Sequence, residues 1–279
     1  MKNTYSNEQL AELIAAELSE GFERELFQAS LDFLDSDHNP LRYNAFAFSL
    51  RELLRHVRER IGPIDRVKAA PWFVQDQNIE AGRVTRRQGW MYAIQRSLSE
   101  EFVSKTLGIE MTDVLTAIRD SENDLSKMTH VNPPTFGISG EEGDQLVFDG
   151  LFAFWSVLGS VADAKSELEA VLQKVMQQHV FSSAIRETNQ QIDLLSSNSA
   201  IEHIEVDDWK ITSIERDRIH FEGEGTASVR LEWGRGDDHA AMQDEYPFTF
   251  KGSSPTSEPR EVHISSEDIV IDTSEWFGE

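Results

Sequence analysis

Ser196-Ser197-Asn198-Ser199 is the stretch on which the fold turns. Four small polar residues in succession offer nothing to bury, and their side chains compete with the backbone for hydrogen bonds, so they read as a junction. Before them, apolar residues recur at helical spacing; after them, apolar residues alternate every second position. These are the periods of an amphipathic helix and of a half-buried strand. The expected fold class is α+β, with an all-α helical domain over residues 1–199 and a small antiparallel β domain over residues 200–279.

Working back from the junction, residues 148–196 read as helical, as one long element with a kink. Residues 128–143 hold Asn132-Pro133-Pro134 and Gly140-Glu141-Glu142-Gly143 and read as a loop. Helices are expected over 112–127 and 85–106, the latter ending at Gly108, with a loop over 69–77 anchored by Trp72 and Phe73. Residues 40–61 form the strongest helical pattern. Asp37-His38-Asn39-Pro40 supplies a cap with proline at the first helical position, Phe46, Leu50, Leu53, Leu54, Val57 and Ile61 share one face, and Gly62-Pro63 ends the run. Residues 7–35 are a further amphipathic run, with Gly21 as its candidate break. Beyond the junction, strands are expected at 211–214, 218–221, 227–233, 246–250 and 261–264, with Gly223, Gly225, Gly234, Gly236 and Gly252 as turn residues.

The chain has 279 residues and a net charge of −24, but the charge is unevenly spread. Residues 41–100 carry 11 bases, ten of them arginine, against 6 acids, whereas residues 201–279 carry 7 bases against 20 acids. Such a net charge opposes non-specific adhesion to nucleic acid or anionic membrane, yet a local arginine cluster can still hold phosphates. Nucleic acid is therefore expected at residues 41–100, unless those arginines simply pair with the acidic helices around them. The absence of cysteine removes disulfides and thiolate chemistry and fits a cytoplasmic setting. Residues 1–5 lack the apolar run of a signal peptide, and no membrane span is expected.

Within the basic region, Arg51 and His56 form an Arg-x4-His pair on the 40–61 helix. An arginine can hold a phosphate and a histidine can move a proton near neutral pH, which suits phosphodiester cleavage. At 100° per residue the two lie about 140° apart, so one straight helix does not unite them; a distorted helix or a dimer lending one residue from each copy would. Asn44, Arg55, Arg86, Arg87 and His130 are the candidate substrate-binding residues, each with a structural alternative in surface pairing or loop hydrogen bonds. The remaining histidines, His179, His203, His220, His239 and His263, show no metal-ligand spacing. Asp237-Asp238-His239 reads better as an acidic turn than as a cation loop. Asp207-Asp208-Trp209-Lys210 lacks the strand and partner acid that a metal-dependent nuclease motif needs. No metal and no cofactor is expected.

The Arg-x4-His pair in a helical setting resembles the HEPN superfamily, whose helical RNases carry an Arg-x4–6-His motif and commonly act as dimers. That resemblance implies that Arg51 holds the scissile phosphate and that His56 moves a proton to or from the 2′-hydroxyl or the leaving oxygen, without metal. A broader resemblance covers most of the chain. The 39–56 run, Pro71-Trp72, Val84-Thr85-Arg86-Arg87, Met128-Thr129-His130-Val131 followed by Thr135-Phe136, and Val229–Asp238 followed by Tyr246-Pro247-Phe248 are similar to bacterial proteins described as predicted pPIWI-associating nucleases. In that family the tryptophan often follows Cys-Ser or a similar pair; here Ala70-Pro71 stand there, so no thiol role carries over. The resemblance implies a setting in bacterial conflict or antiphage defence.

The resulting expectation is a cytoplasmic RNase acting on RNA rather than DNA, as a homodimer, with the acidic β domain engaging a defence-system protein partner. The rival is a non-enzymatic helical interaction protein in the same setting, with Arg51 and His56 serving structure. A third reading is an antitoxin-like binder that works through its acidic surface.

Overall fold

The computed structural model describes residues 5–132, 136–138, 140–195, 199–233 and 240–272. Ser196-Ser197-Asn198, Pro133-Pro134-Thr135, Gly234, Gly236 and Asp237-Asp238-His239 lie outside the described residues. Among the described residues seven α-helices precede a four-stranded antiparallel sheet, so the α+β class holds. The chain divides into two compact units, Met1–Arg96 with Gly108–Glu167, and Ser97–Leu107 with Leu168–Glu279. The division falls inside the longest helix rather than at the change of secondary structure.

In the first unit, α1 (Asn7–Glu17) opens on a capping box in which Ser6 and Gln9 satisfy each other's backbone amides. Gly21, at φ 79°, breaks the 7–35 run, and α2 (Phe22–Asp32) follows. Helix α3 (Arg42–Ile61) starts two residues after Pro40, because the Asn39 side chain takes the Leu41 amide and holds the approach as a turn. Its stripe of Phe46, Leu50, Leu53, Leu54 and Val57 is buried and packs against α2, α5 (Arg86–Gln95) and α6 (Met111–Met128). The short α4 (Ile64–Ala69) precedes the expected loop, where Trp72 and Phe73 pack on Val67, Ala70 and Tyr92.

The expected 85–106 helix is two elements. Its first part, α5, ends at Arg96, the only non-glycine with positive φ (53°) among the described residues. Arg96 turns there because its carbonyl accepts the Trp72 indole N–H at 2.7 Å and its guanidinium donates to the Ile61 carbonyl at 2.9 Å. Tertiary hydrogen bonds outweigh helix propensity at this point. A π-helical turn, Phe102–Thr106, completes the segment before Gly108.

Helix α7 (Glu141–Leu195) is continuous for 55 residues and starts earlier than the expected 148. Within Glu141–Thr188 one window reaches a mean hydropathy of 1.4, apolar and long enough by composition to cross a membrane, with 39% of it buried. Its buried residues, among them Val147, Leu151, Phe154, Val157, Val161 and Ala164, repeat at helical spacing on one side, as in a core helix.

In the second unit, β1 (Ser199–Ile214), β2 (Arg218–Trp233) and β3 (Ala240–Pro255) are long strands, joined at the edge by β4 (Ile269–Ile271). The expected short strands merge because Gly223, Gly225 and Gly252 lie inside strands and do not make turns. Each glycine sits opposite a phenylalanine, pairing Gly223 with Phe250, Gly225 with Phe248 and Gly252 with Phe221. A Cβ at Gly225 would stand 2.2 Å from the Glu205 carbonyl oxygen and 2.7 Å from the Phe248 ring, so the glycines make room for those rings. The expected 261–264 strand is reduced to a single bridge between Ser253 and His263.

Candidate functional site

Because the apolar stripe of α3 faces inward, Phe48, Arg51, Glu52, Arg55, His56 and Glu59 form its outward ridge and flanks. These side chains are joined in series. Arg51 Nη2 lies 3.5 Å from one oxygen of Glu52, and Arg55 Nε donates to the other at 2.9 Å. Arg55 Nη1 reaches both oxygens of Glu59, and its Nη2 lies 2.9 Å from His56 Nε2. A guanidinium can only donate, so in this hydrogen bond His56 Nε2 is the acceptor. The hydrogen bond from Arg55, aided by both arginine charges, holds the Glu52 carboxyl below the ordinary carboxylate range. Glu52 and then Glu59 push the Arg55 guanidinium up in turn.

On the Arg51 flank the surface sinks into a cleft of about 220 Å³. Arg51, Arg55 and Arg58 of α3 and Arg86 of α5 line it, against the carboxylates Glu52 and Glu122. Four cations facing two anions leave the cleft positive. Arg51 also donates to the Thr129 hydroxyl at 3.4 Å, just past the end of α6. Deeper in, Arg58 Nη1 meets Glu122 Oε1 at 3.2 Å, and the Trp90 indole N–H donates to the same oxygen at 3.1 Å. Gly89 lets the Arg58 stem pass, since a Cβ there would approach Arg58 Cδ to 3.1 Å. Burial pulls Arg58 below its ordinary value and the nearby Arg86 charge adds to this, while Glu122 opposes it.

Of the residues singled out by sequence, Arg51, Arg55 and Arg86 come together in this cleft. His56 does not line it; its ring meets Phe22 of α2 edge-on, with centroids 4.8 Å apart. Asn44 is 5% exposed and faces the interior. Arg87 and His130 are exposed and outside the cleft. Arg58 and Glu122 were not singled out. The signal was present for Glu122, which follows Leu115 and Ile118 on the buried stripe of α6, where a charged residue calls for a partner.

In the second unit, Asp207-Asp208-Trp209-Lys210 lies on β1, so the strand geometry that the sequence reading found missing is present. Asp208 pairs across the sheet with Glu224, and Lys210 with Glu222 at 3.2 Å, beside a cavity of about 650 Å³. Among the described residues no group of three or more His, Asp or Glu is placed to hold a metal ion.

Two family models, each described as predicted pPIWI-associating nuclease, match residues 15–154 and 161–277. The chain belongs to this family. The first predicted pPIWI-associating nuclease model contains α3, the cleft and His56; the second contains all four strands. Nucleic acid is the substrate class that the family description carries. No curated protein and no solved structure matches the chain.

Proposed function

We propose that this member of the predicted pPIWI-associating nucleases is a metal-independent endoribonuclease of HEPN-like chemistry. Arg51, Arg55 and Arg86 hold the backbone phosphates, and His56 moves the proton. Arg55 carries the reading, because it lines the cleft and also contacts His56 Nε2 at 2.9 Å, so phosphate holder and proton acceptor meet at one guanidinium. An entering phosphate competes with Glu52 for Arg51 and Arg55. Drawing Arg55 to the phosphate frees His56 Nε2, which takes the proton of the 2′-hydroxyl. The 2′-oxygen then bonds phosphorus and the bond to the 5′-oxygen breaks, giving a 2′,3′-cyclic phosphate and a 5′-hydroxyl that takes its proton from solvent.

We place this activity in bacterial antiphage defence in the cytoplasm. The acidic sheet unit would engage a protein partner, and a homodimer would form along the aromatic row of Phe148, Phe152 and Trp155 on α7. A second reading is supported by the pairing in the cleft: Arg51, Arg55 and Arg58 each already meet a carboxylate, and His56 packs on Phe22. That is the geometry of a non-enzymatic interaction module or antitoxin-like binder. The deciding experiment incubates labelled single-stranded RNA with wild type and with His56→Ala, with EDTA throughout. Cleavage by wild type alone supports the RNase; cleavage by both removes His56 from the chemistry; cleavage by neither favours the binding module.

A further inference from the structure

Two aromatic rings stand unusually open beside the arginine row. Phe48 is 51% exposed and Phe22 is 57% exposed, although burial of such a ring is strongly favourable. Each is tied to a residue of the ridge. The Arg51 guanidinium lies over the Phe48 ring, 5.3 Å from its centroid, and the His56 ring stands against Phe22. Along α3 the order is Phe48, Arg51, Arg55, then His56 with Phe22 beside it, a span of about 12 Å from Phe48 to His56 at 1.5 Å per residue.

We propose that this surface binds single-stranded nucleic acid, with Phe48 and Phe22 each stacking one unpaired base on either side of the phosphates held by Arg51 and Arg55. The inference rests on the nuclease reading and specifies its substrate class. Cations track the backbone, while rings supply faces on which any base can lie, and this pairing of features is how single strands are gripped without base-specific hydrogen bonds. A duplex keeps its bases stacked inside and offers these rings nothing but backbone, so it gains only the arginine contacts. The Phe22 position also explains the packing of His56. A base stacked on Phe22 sets its ribose near the histidine that would take the 2′-proton.

The test is fluorescence anisotropy with end-labelled 2′-O-methyl RNA, which the proposed chemistry cannot cleave. Three probes are used: a single strand, the same sequence as a duplex, and an abasic strand of equal charge. Phe22→Ala and Phe48→Ala are compared with wild type, and Phe22→Leu and Phe48→Leu keep apolar bulk without the ring face. Circular dichroism confirms that each variant is folded. Tighter binding of the single strand than the duplex, with each aromatic variant weakening the single strand about fivefold or more and leaving the abasic strand unchanged, supports the proposal. If Arg51→Ala weakens binding while the aromatic variants stay within twofold, the stacking surface is refuted and the nuclease reading stands. Loss in only one aromatic variant, or equal binding of the duplex, also refutes it. If wild type binds none of the probes, both readings fall together.

Discussion

Replacing Glu122 by leucine should strip the cleft floor of its buried anion. Glu122 is nearly fully buried, with a side chain 9% exposed, and its partner Arg58 is 15% exposed. In Glu122→Leu the Arg58 charge remains inside with no carboxylate, and the Trp90 indole N–H, 1% exposed as a residue, loses its acceptor. Removing one member of a buried ion pair costs about 3–5 kcal/mol, because the other charge stays desolvated. The orphaned indole alone accounts for about 1–3 kcal/mol, and the two effects overlap rather than add. At about 2–4 °C per kcal/mol for a unit of this size, Tm should fall by roughly 6–20 °C. The assay is urea unfolding followed by circular dichroism of the helices, reading the midpoint at unchanged m-value. The double variant Arg58→Met/Glu122→Leu removes both charges and should return to within about 1–3 kcal/mol of wild type, the remainder being the indole still without its acceptor. A single-variant cost below about 1 kcal/mol, or a double variant as damaged as the sum of the singles, would show that the pair is solvated and that the reasoning is wrong.

Four further variants probe the sheet, α7, a buried carboxylate and the cleft. Gly225→Ala should destabilise the sheet unit by about 3 kcal/mol, the upper end for overpacking, whereas Gly159→Ala on α7, with no atom near its new methyl group, should stabilise by about 0.5–1 kcal/mol; paired unfolding curves check both. Glu23 is buried and takes hydrogen bonds from Arg60 Nε at 2.8 Å and the Ser19 amide at 2.9 Å, which outweigh burial and hold its carboxyl below the ordinary range. A folded-state value lower than the unfolded one stabilises above the ordinary carboxylate range and is lost as pH falls through the folded value, so Tm against pH should drop less steeply on the acid side in Glu23→Gln than in wild type. On single-stranded RNA, Arg86→Ala should lower affinity and reduce the slope of log K against log salt by about 0.7, one phosphate contact; an unchanged slope would place Arg86 outside the binding surface.

How much of this was legible in the sequence differs from element to element. The inward stripe of α3, its stop at Gly62-Pro63, the break at Gly21 and the anchoring of Trp72 and Phe73 all follow from periodicity and backbone restrictions that act within a few residues. The class change near residue 200 is of the same kind. The merger of the strands is not, because a glycine reads as a turn until the phenylalanine that covers it is known, and Phe250, Phe248 and Phe221 reach Gly223, Gly225 and Gly252 only through strand register. The three register shifts between β1 and β2 likewise hide residues 199–210 of β1 from a period-2 reading.

For the site, the sequence by itself determined the chemistry on offer: a local run of arginines, one histidine five residues beyond Arg51, no thiol, and an amphipathic α3 with Arg51 on one flank of its apolar stripe and His56 on the other. Only the tertiary structure decided which of them meet. It brought Arg86 across from α5 and Glu122 from α6 to make a cleft, turned His56 toward Phe22 on the other flank, and left Arg55 as the link between the two sides. The reason is physical. Helical spacing sets the angle at which a side chain leaves its own axis, but the partner it finds depends on which neighbouring helix packs against that flank, and that is set by contacts distant in sequence.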